Sequence, residues 1–472
     1  MHYLKTLLCL LLPLGAFAQS AEENQRRVEN GLLPWVQFKN QPPMRFTIEE
    51  RLKSLEIPGV TVAVIRDYKI EWAKGYGWAD KEEKRPVTTE TLFQAASISK
   101  SLNGVAILRL VQDGKLRLDE DINTYLKTWH PSADSGKITI AHLLSHTAGL
   151  TIHGFPGYET TDMLPTTEQI LMGQKPANTK EVKPFAAPGE KMQYSGGGTT
   201  VSQLILTTIT GEPYEQYLQR EVLNPMGMTQ SFYNQPPPAG KAALLATAYE
   251  NDGSRVKGSY HVYPEQGAAG LWTNPTDLAK YIIETQLSKE GKSAKVLSPE
   301  MTRKRLTPYL DKSSALGVFI NADGRWFSHN GGNWGFACTY SGSMEGGNGF
   351  VVMTNVSNHL IIDEIVRAIS TVYGWKDFQS VEKFPLLSSI PDSLIRRYTG
   401  TYVRQSPKTT IAIRPSGKGL TAVVQNGQPY NMHFTQADKF VITEQPAMWT
   451  FAGDTLKMFN GQRQALFLRE KP

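Results

Sequence analysis

Apolar and polar positions along the chain fall into three regimes. Gly59 to Ile65 is a run rich in β-branched residues, and after the polar turn Arg66-Asp67-Tyr68-Lys69 the stretch Ile70 to Gly77 follows, which predicts a hairpin. From Ser97, the apolar residues Ile98, Leu102, Val105, Ala106, Leu108 and Leu110 recur at helical spacing until Asp113-Gly114 ends the run. This predicts an amphipathic helix opening at Ser97. Residues 115 to 300 alternate helical stretches with Pro and Gly turns and offer few strands. Strand character returns at 326–329, 337–341 and 350–354, and a helical pattern closes the region at 361–373. The order implies an α/β (α+β) fold: an antiparallel sheet whose N- and C-terminal strands meet, flanked by helices, with an inserted all-helical subdomain.

The link Phe384-Pro385-Leu386-Leu387-Ser388-Ser389-Ile390-Pro391 comes next. Apolar runs at 398–402, 409–413, 420–424, 432–434 and 465–468 alternate with turn residues. They predict a small C-terminal antiparallel β-domain over 392–472, a meander or partly closed barrel, beside a larger domain over 19–380. At the other end, Lys5, the apolar run Leu7–Leu14 and Ala16-Phe17-Ala18 predict a signal peptide, residues 1–18, cleaved after Ala18. Its apolar run is short of the ~20 residues that cross a bilayer. The expected product is secreted or periplasmic, with no stable membrane insertion and no lipid anchor at Cys9. Losing Cys9 leaves Cys338 without an internal disulfide partner. A net charge of +6 over 472 residues is a mild bias toward acidic envelope polymers, and with no basic run interleaved by aromatics it predicts no nucleic-acid partner.

Three separated fragments carry candidate chemistry. In Ser97-Ile98-Ser99-Lys100 the amine lies one helical turn from the hydroxyl, which it can activate as a nucleophile at a helix N-terminus. The same spacing at Ser254-Lys257 and Ser380-Lys383 has no such setting. Tyr194-Ser195-Gly196 precedes a Gly turn. For Tyr194 to be half-ionised at neutral pH its pKa must fall from near 10 to near 7, worth roughly 4 kcal/mol. Lys100 and a protonated His329 are the cations available for that; a core tyrosine is the plainer reading. His329-Asn330-Gly331-Gly332 ends a strand with residues that let backbone approach a ligand. An N–H there, opposite that of Ser97, would make an oxyanion hole; an ordinary hairpin turn is the plainer reading.

Other patterns carry less. His142 and His146 are four apart with His153 nearby, but no His-Glu-x-x-His is present, so structural or capping roles are expected and no metal is assigned. There is no Gly-x-Ser-x-Gly elbow. Gly196-Gly197-Gly198 and Gly346-Gly347 lack the strand-to-helix setting of a nucleotide loop. Trp35, Trp72, Trp78 and Trp272 read as core, while Trp334, beside the third fragment, is a candidate floor for a substrate pocket.

In this order the fragments resemble the three motifs of the serine β-lactamase and penicillin-binding-protein superfamily: Ser-x-x-Lys, Tyr-x-Asn and Lys/His-x-Gly. The resemblance is closest to the class C β-lactamase-like branch of β-lactamases, D,D-peptidases, D-aminopeptidases and esterases, and spans roughly residues 45 to 375. Supporting stretches are Thr91–Ala96, Leu143–Leu150, Ala268–Ala279 and Gly331–Phe336. The resemblance implies Ser97 as acylated nucleophile, Lys100 as its proton partner and Tyr194 as general base and acid. It implies His329 as third-motif cation or donor and Gly332, after Gly331, as second oxyanion N–H. Which of Lys100 and Tyr194 takes the serine proton stays open. The implied partner is a small-molecule or peptide amide or ester, with cell-wall peptides and β-lactams among the candidates, and no cofactor. Two departures stand out: Gly196 occupies the motif's Asn position, and His329 replaces the lysine of typical class C enzymes. Both point away from an efficient β-lactamase toward an esterase or peptidase-like hydrolase; the alternative is a penicillin-recognising protein of the same fold with little or no turnover.

Overall fold

The computed structural model describes residues 12–132, 136–425, 429–460 and 463–470. Most of the expected leader lies outside the described residues, and a helix, Leu12–Glu29, runs through Ala18. Contacts gather the chain into two compact units, one built on residues 51–362 and the other on 23–50 and 363–472. Residues 23–50, which the sequence pattern grouped with the larger domain, cluster with the C-terminal unit. The strand Val36–Phe38 pairs in parallel with Glu382–Phe384, and the Trp35 indole donates to the Ile442 carbonyl at 2.8 Å.

The first unit is organised by a seven-stranded sheet in the order Arg85–Pro86, Lys69–Asp80, Gly59–Arg66, Gly349–Thr354, Phe336–Ser343, Trp326–Asn333 and Phe319–Ile320. All its pairs are antiparallel. The N- and C-terminal strands meet at its centre, with Val62 opposite Val352. Val60 to Ile65 and Val351 to Met353 are buried on both faces, which is why they read as continuous apolar runs. The helix Pro275–Lys289 packs on these central strands. Among the described residues between 115 and 300, strand pairing is confined to Trp272–Thr273, which meets Phe93–Gln94, apart from isolated bridges.

The helix after Ser97 departs from its predicted amphipathic character. Ser99–Gln112 is buried on nearly every side, from Ser99 through Leu108. Its polar positions are satisfied internally: Leu271 N donates to Ser99 Oγ (2.9 Å), Ser101 Oγ meets Tyr340 OH (2.8 Å), and Asn103 Nδ2 donates to Ser202 Oγ (2.8 Å). A helix enclosed by others has no solvent face to mark with charge.

In the second unit a nine-stranded antiparallel sheet runs from Pro429–Asn431 at one edge to His433–Gln436 at the other. Met432 alone separates those edge strands in sequence, so the sheet curls into a near-barrel. Tyr402, Ile411, Phe440, Trp449, Phe451, Leu456 and Phe467 fill it.

Candidate active site

Ser97 sits in a tight 3₁₀ turn, Ala96–Ile98, just ahead of the buried helix. Ala96 takes a left-handed φ of 49°, a strained conformation for a residue with a Cβ, and such strain persists where surrounding contacts impose it. One turn on, the Lys100 amine lies 3.0 Å from Ser97 Oγ and donates to the Ala268 carbonyl at 2.6 Å. Lys100 is only 4% exposed. Burial disfavours the ammonium and lowers its pKa to about 7. The amine is therefore neutral in a substantial fraction of molecules at neutral pH, with a lone pair beside the hydroxyl.

Tyr194 is placed by His146. Gln193 N donates to the His146 carbonyl (2.7 Å) and Ser195 N to His146 Nδ1 (3.3 Å), so one residue grips the backbone on both sides of the tyrosine. Ser195 then caps the helix Gly196–Thr210 by accepting from Gly198 N at 2.8 Å. Around the phenol ring stand His146 (centroids 4.4 Å apart), His153 (4.9 Å), Phe319 (6.2 Å) and His329 (6.2 Å), with Lys100 Nζ 5.1 Å from its centroid.

This packing does not supply the shift that half-ionisation of Tyr194 would require. Burial pushes the phenol well above its usual range, and the Ser97 side chain offsets only part of that. The same burial weakens the cations that could stabilise a phenolate, leaving Lys100 only partly charged at neutral pH. His329 is 3% exposed, and burial together with the nearby Lys100 lowers its pKa to about 3. Its Nδ1 lies 2.7 Å from the Asn330 carbonyl, which can only accept, so Nδ1 carries the proton. Nε2 is then a lone-pair acceptor, buried and without a partner among the described residues. With Nδ1 held by the Asn330 carbonyl, the ring presents Nε2 at the site.

The strand Trp326–Asn333 pairs with Phe336–Ser343 along its length, but on its other edge only Phe327 and Ser328 are paired, with Phe319–Ile320. Among the described residues no strand pairs with that edge from His329 onward, and an unpaired edge presents N–H groups. It lies against the turn that carries Ser97: a Cβ on Gly331 would stand 2.3 Å from the Ala95 carbonyl oxygen and 2.5 Å from Cys338 Sγ. Only glycine permits this approach. Cys338 is buried behind the turn, its thiol donating to the Ala95 carbonyl at 3.1 Å, and burial pushes its pKa up. Gly332 is exposed, and a Cβ there would meet His359 Nε2 at an ordinary contact distance of 3.8 Å.

At Gly196 a Cβ would stand 2.9 Å from the Phe155 ring and 3.2 Å from the His153 carbonyl oxygen. The loop Ile152–Phe155 occupies that space and accepts from the first N–H groups of the helix, Gly196 N to His153 O (3.2 Å) and Gly197 N to Ile152 O (3.0 Å). The missing asparagine is therefore replaced by a loop.

Ser97, Lys100, Tyr194 and His329 thus converge, with Gly331 against the turn that carries Ser97, Gly332 next to it in the strand and Gly196 against the loop Ile152–Phe155. The sequence pattern did not single out His146 and Ala268 as positioning groups, although both lie in stretches that carried the resemblance. His153 stood out only as a neighbour of the His142 and His146 pair, and Phe319 had no signal of its own. His142 closes a capping box with Thr139, accepting from Thr139 N at 3.3 Å.

The family model for Beta-lactamase matches residues 44–360, and the chain belongs to that family. The Protein flp of Staphylococcus aureus (strain N315) is 25% identical over 320 residues, 67% of this chain and 61% of that relative. The chain therefore spans about three fifths of that relative's length. The octameric penicillin-binding protein homologue from Pyrococcus abyssi shares the fold at a TM-score of 0.61 and 21% identity, over 89% of this chain and 98% of that one. EstCE1, a hydrolase with promiscuous acyltransferase activity, aligns at 0.58 and 21% identity, over 75% of this chain and 98% of its own. The fold is that of penicillin-binding and β-lactamase-like serine hydrolases.

Proposed function

We propose that the protein is a serine hydrolase that takes the acyl group of an ester or amide onto Ser97 and releases it to water, and that its first 18 residues direct its export. The observation that carries this reading is the buried Lys100 amine 3.0 Å from Ser97 Oγ, whose pKa burial lowers to about 7. Lys100 accepts the hydroxyl proton as Oγ attacks the carbonyl carbon. Negative charge on the carbonyl oxygen is received between the N–H groups of Ser97 and Gly332. Tyr194, a neutral phenol, passes a proton to the departing alkoxide or amine and is reprotonated from Lys100. Deacylation repeats the steps with water in place of Ser97.

The electrostatics favour uncharged substrates. A neutral His329 and a Lys100 that is only partly charged at neutral pH give a substrate carboxylate little cationic support, which favours esters over β-lactams and peptides ending in a free carboxylate. The purified protein and Ser97→Ala are to be compared on a short p-nitrophenyl ester, a chromogenic cephalosporin and a D-Ala-D-Ala peptide. Ester turnover that needs Ser97 and exceeds cephalosporin turnover is expected. Absence of any Ser97-dependent turnover would end the hydrolase reading, and a stable adduct on Ser97 without release would favour a penicillin-recognising protein. Export is checked by N-terminal sequencing of the secreted chain, which should begin at Gln19.

A further inference from the structure

Beyond the nucleophile turn, one face of the strand Trp326–Asn333 and the turn that follows is open. Asn330, Gly332 and Trp334 are exposed while His329, Gly331 and Asn333 are buried, the period-two alternation of a strand covered on one side. Gly332 makes the middle of that face flat. Trp334, at 47% exposure, stands at its end.

Trp334 is unusually well fixed for an exposed aromatic. Its ring stacks on His261 with centroids 5.3 Å apart and planes 16° apart. Its indole N–H donates to Glu250 Oε1 (2.6 Å) and its backbone N–H to Tyr263 OH (2.9 Å). The His261 ring is held in turn, its Nδ1 donating to the Pro156 carbonyl at 3.0 Å. Gln94, three residues before Ser97, donates to the His261 carbonyl (2.7 Å) and accepts from Asn333 Nδ2 (2.8 Å). Shelf and nucleophile are thus tied through one glutamine. A half-exposed indole fixed in this way offers a preorganised apolar face to a flat ligand.

The direction of the substrate follows from the chemistry. The leaving group must be protonated where Tyr194 and Lys100 stand, at the His329 end of the strand. With its carbonyl oxygen at Gly332, the acyl group extends the other way, toward Trp334. Two residues of extended strand span ~7 Å, the reach of a ring one or two bonds beyond the carbonyl carbon.

We propose that Trp334, backed by His261, is an acyl-side subsite that selects substrates carrying an aromatic ring close to the scissile carbonyl. This rests on the hydrolase reading above. The test compares p-nitrophenyl acetate with p-nitrophenyl phenylacetate, which share a leaving group, in wild type, Trp334→Ala and Trp334→Phe. The wild type should prefer phenylacetyl by kcat/KM; Trp334→Ala should lose roughly tenfold of that preference, mostly through KM, and Trp334→Phe should keep most of it. Acetate hydrolysis should change little in either variant. Ser97-dependent hydrolysis with the same preference in Trp334→Ala would overturn the subsite alone. Loss of Ser97-dependent turnover of both esters by the wild type would overturn the hydrolase reading and the subsite with it.

Discussion

Glu265 offers a sharp test of how burial sets charge in this protein. It is 0% exposed, and both its carboxylate oxygens lack partners among the described residues. It precedes the short helical turn Gln266–Ala269, from which the Ala268 carbonyl receives the Lys100 amine. Desolvation raises its pKa from an ordinary 4.5 to about 8, with its own backbone N–H opposing weakly. Because the folded value lies above the unfolded one, the folded protein holds an extra proton between those limits. The stability this gives is complete below pH 4.5 and is lost as pH rises through about 8. At ~1.36 kcal/mol per pH unit the loss approaches ~5 kcal/mol. Glu265→Gln keeps the shape and removes the titration. Urea unfolding of both proteins at steps from pH 4.5 to 8.5 should show wild-type stability falling relative to the variant by several kcal/mol. A constant offset between the two is expected from the amide's own hydrogen-bonding needs and carries no information; parallel curves across the whole range would refute the reasoning.

Other outcomes follow from the site. The kcat/KM for an ester should rise with pH through about 7, the range where buried Lys100 loses its proton, and this limb should survive in His329→Asn, whereas Lys100→Arg should lose activity at every pH. Tyr194→Phe should lower kcat by ~10² to 10⁴, and a loss below ~10-fold would remove the phenol from proton transfer. Gly331→Ala forces a Cβ against the Ala95 carbonyl and Cys338 Sγ, so thermal melts should report a loss of ~1–3 kcal/mol together with impaired acylation. Gly196→Asn, which restores the motif residue, should collide with Phe155 and the His153 carbonyl; a lower melting temperature without a gain in cephalosporin turnover is expected.

Much of the scaffold is legible in local pattern, because strands buried on both faces, such as Gly59–Arg66 and Gly349–Thr354, read as unbroken β-branched runs. The strands Lys439–Ile442, Gln445–Ala452 and Thr455–Asn460 were not anticipated, since their inward residues Phe440, Trp449, Phe451 and Leu456 are diluted by Lys439, Thr450 and Lys457. The proximity of Ser97 and Lys100 follows from helical spacing. Their charge states do not, because discharge of Lys100 and His329 depends on how deeply other segments bury them. The ring of His146, His153 and Phe319 around Tyr194 likewise joins segments that no spacing rule connects.

The position of Cys338 gives the protein a built-in clock. In a chain freed of residues 1–18 it is the sole thiol, and it lies behind the seam where the strand Phe336–Ser343 and the nucleophile turn meet. A thiol reagent reaches it only in molecules where that seam has parted, so the rate of labelling under native conditions times the breathing of the catalytic centre. An acyl group bridging Ser97 and the neighbouring strand would slow that clock, and the protein would then report its own occupancy without any chromogenic substrate.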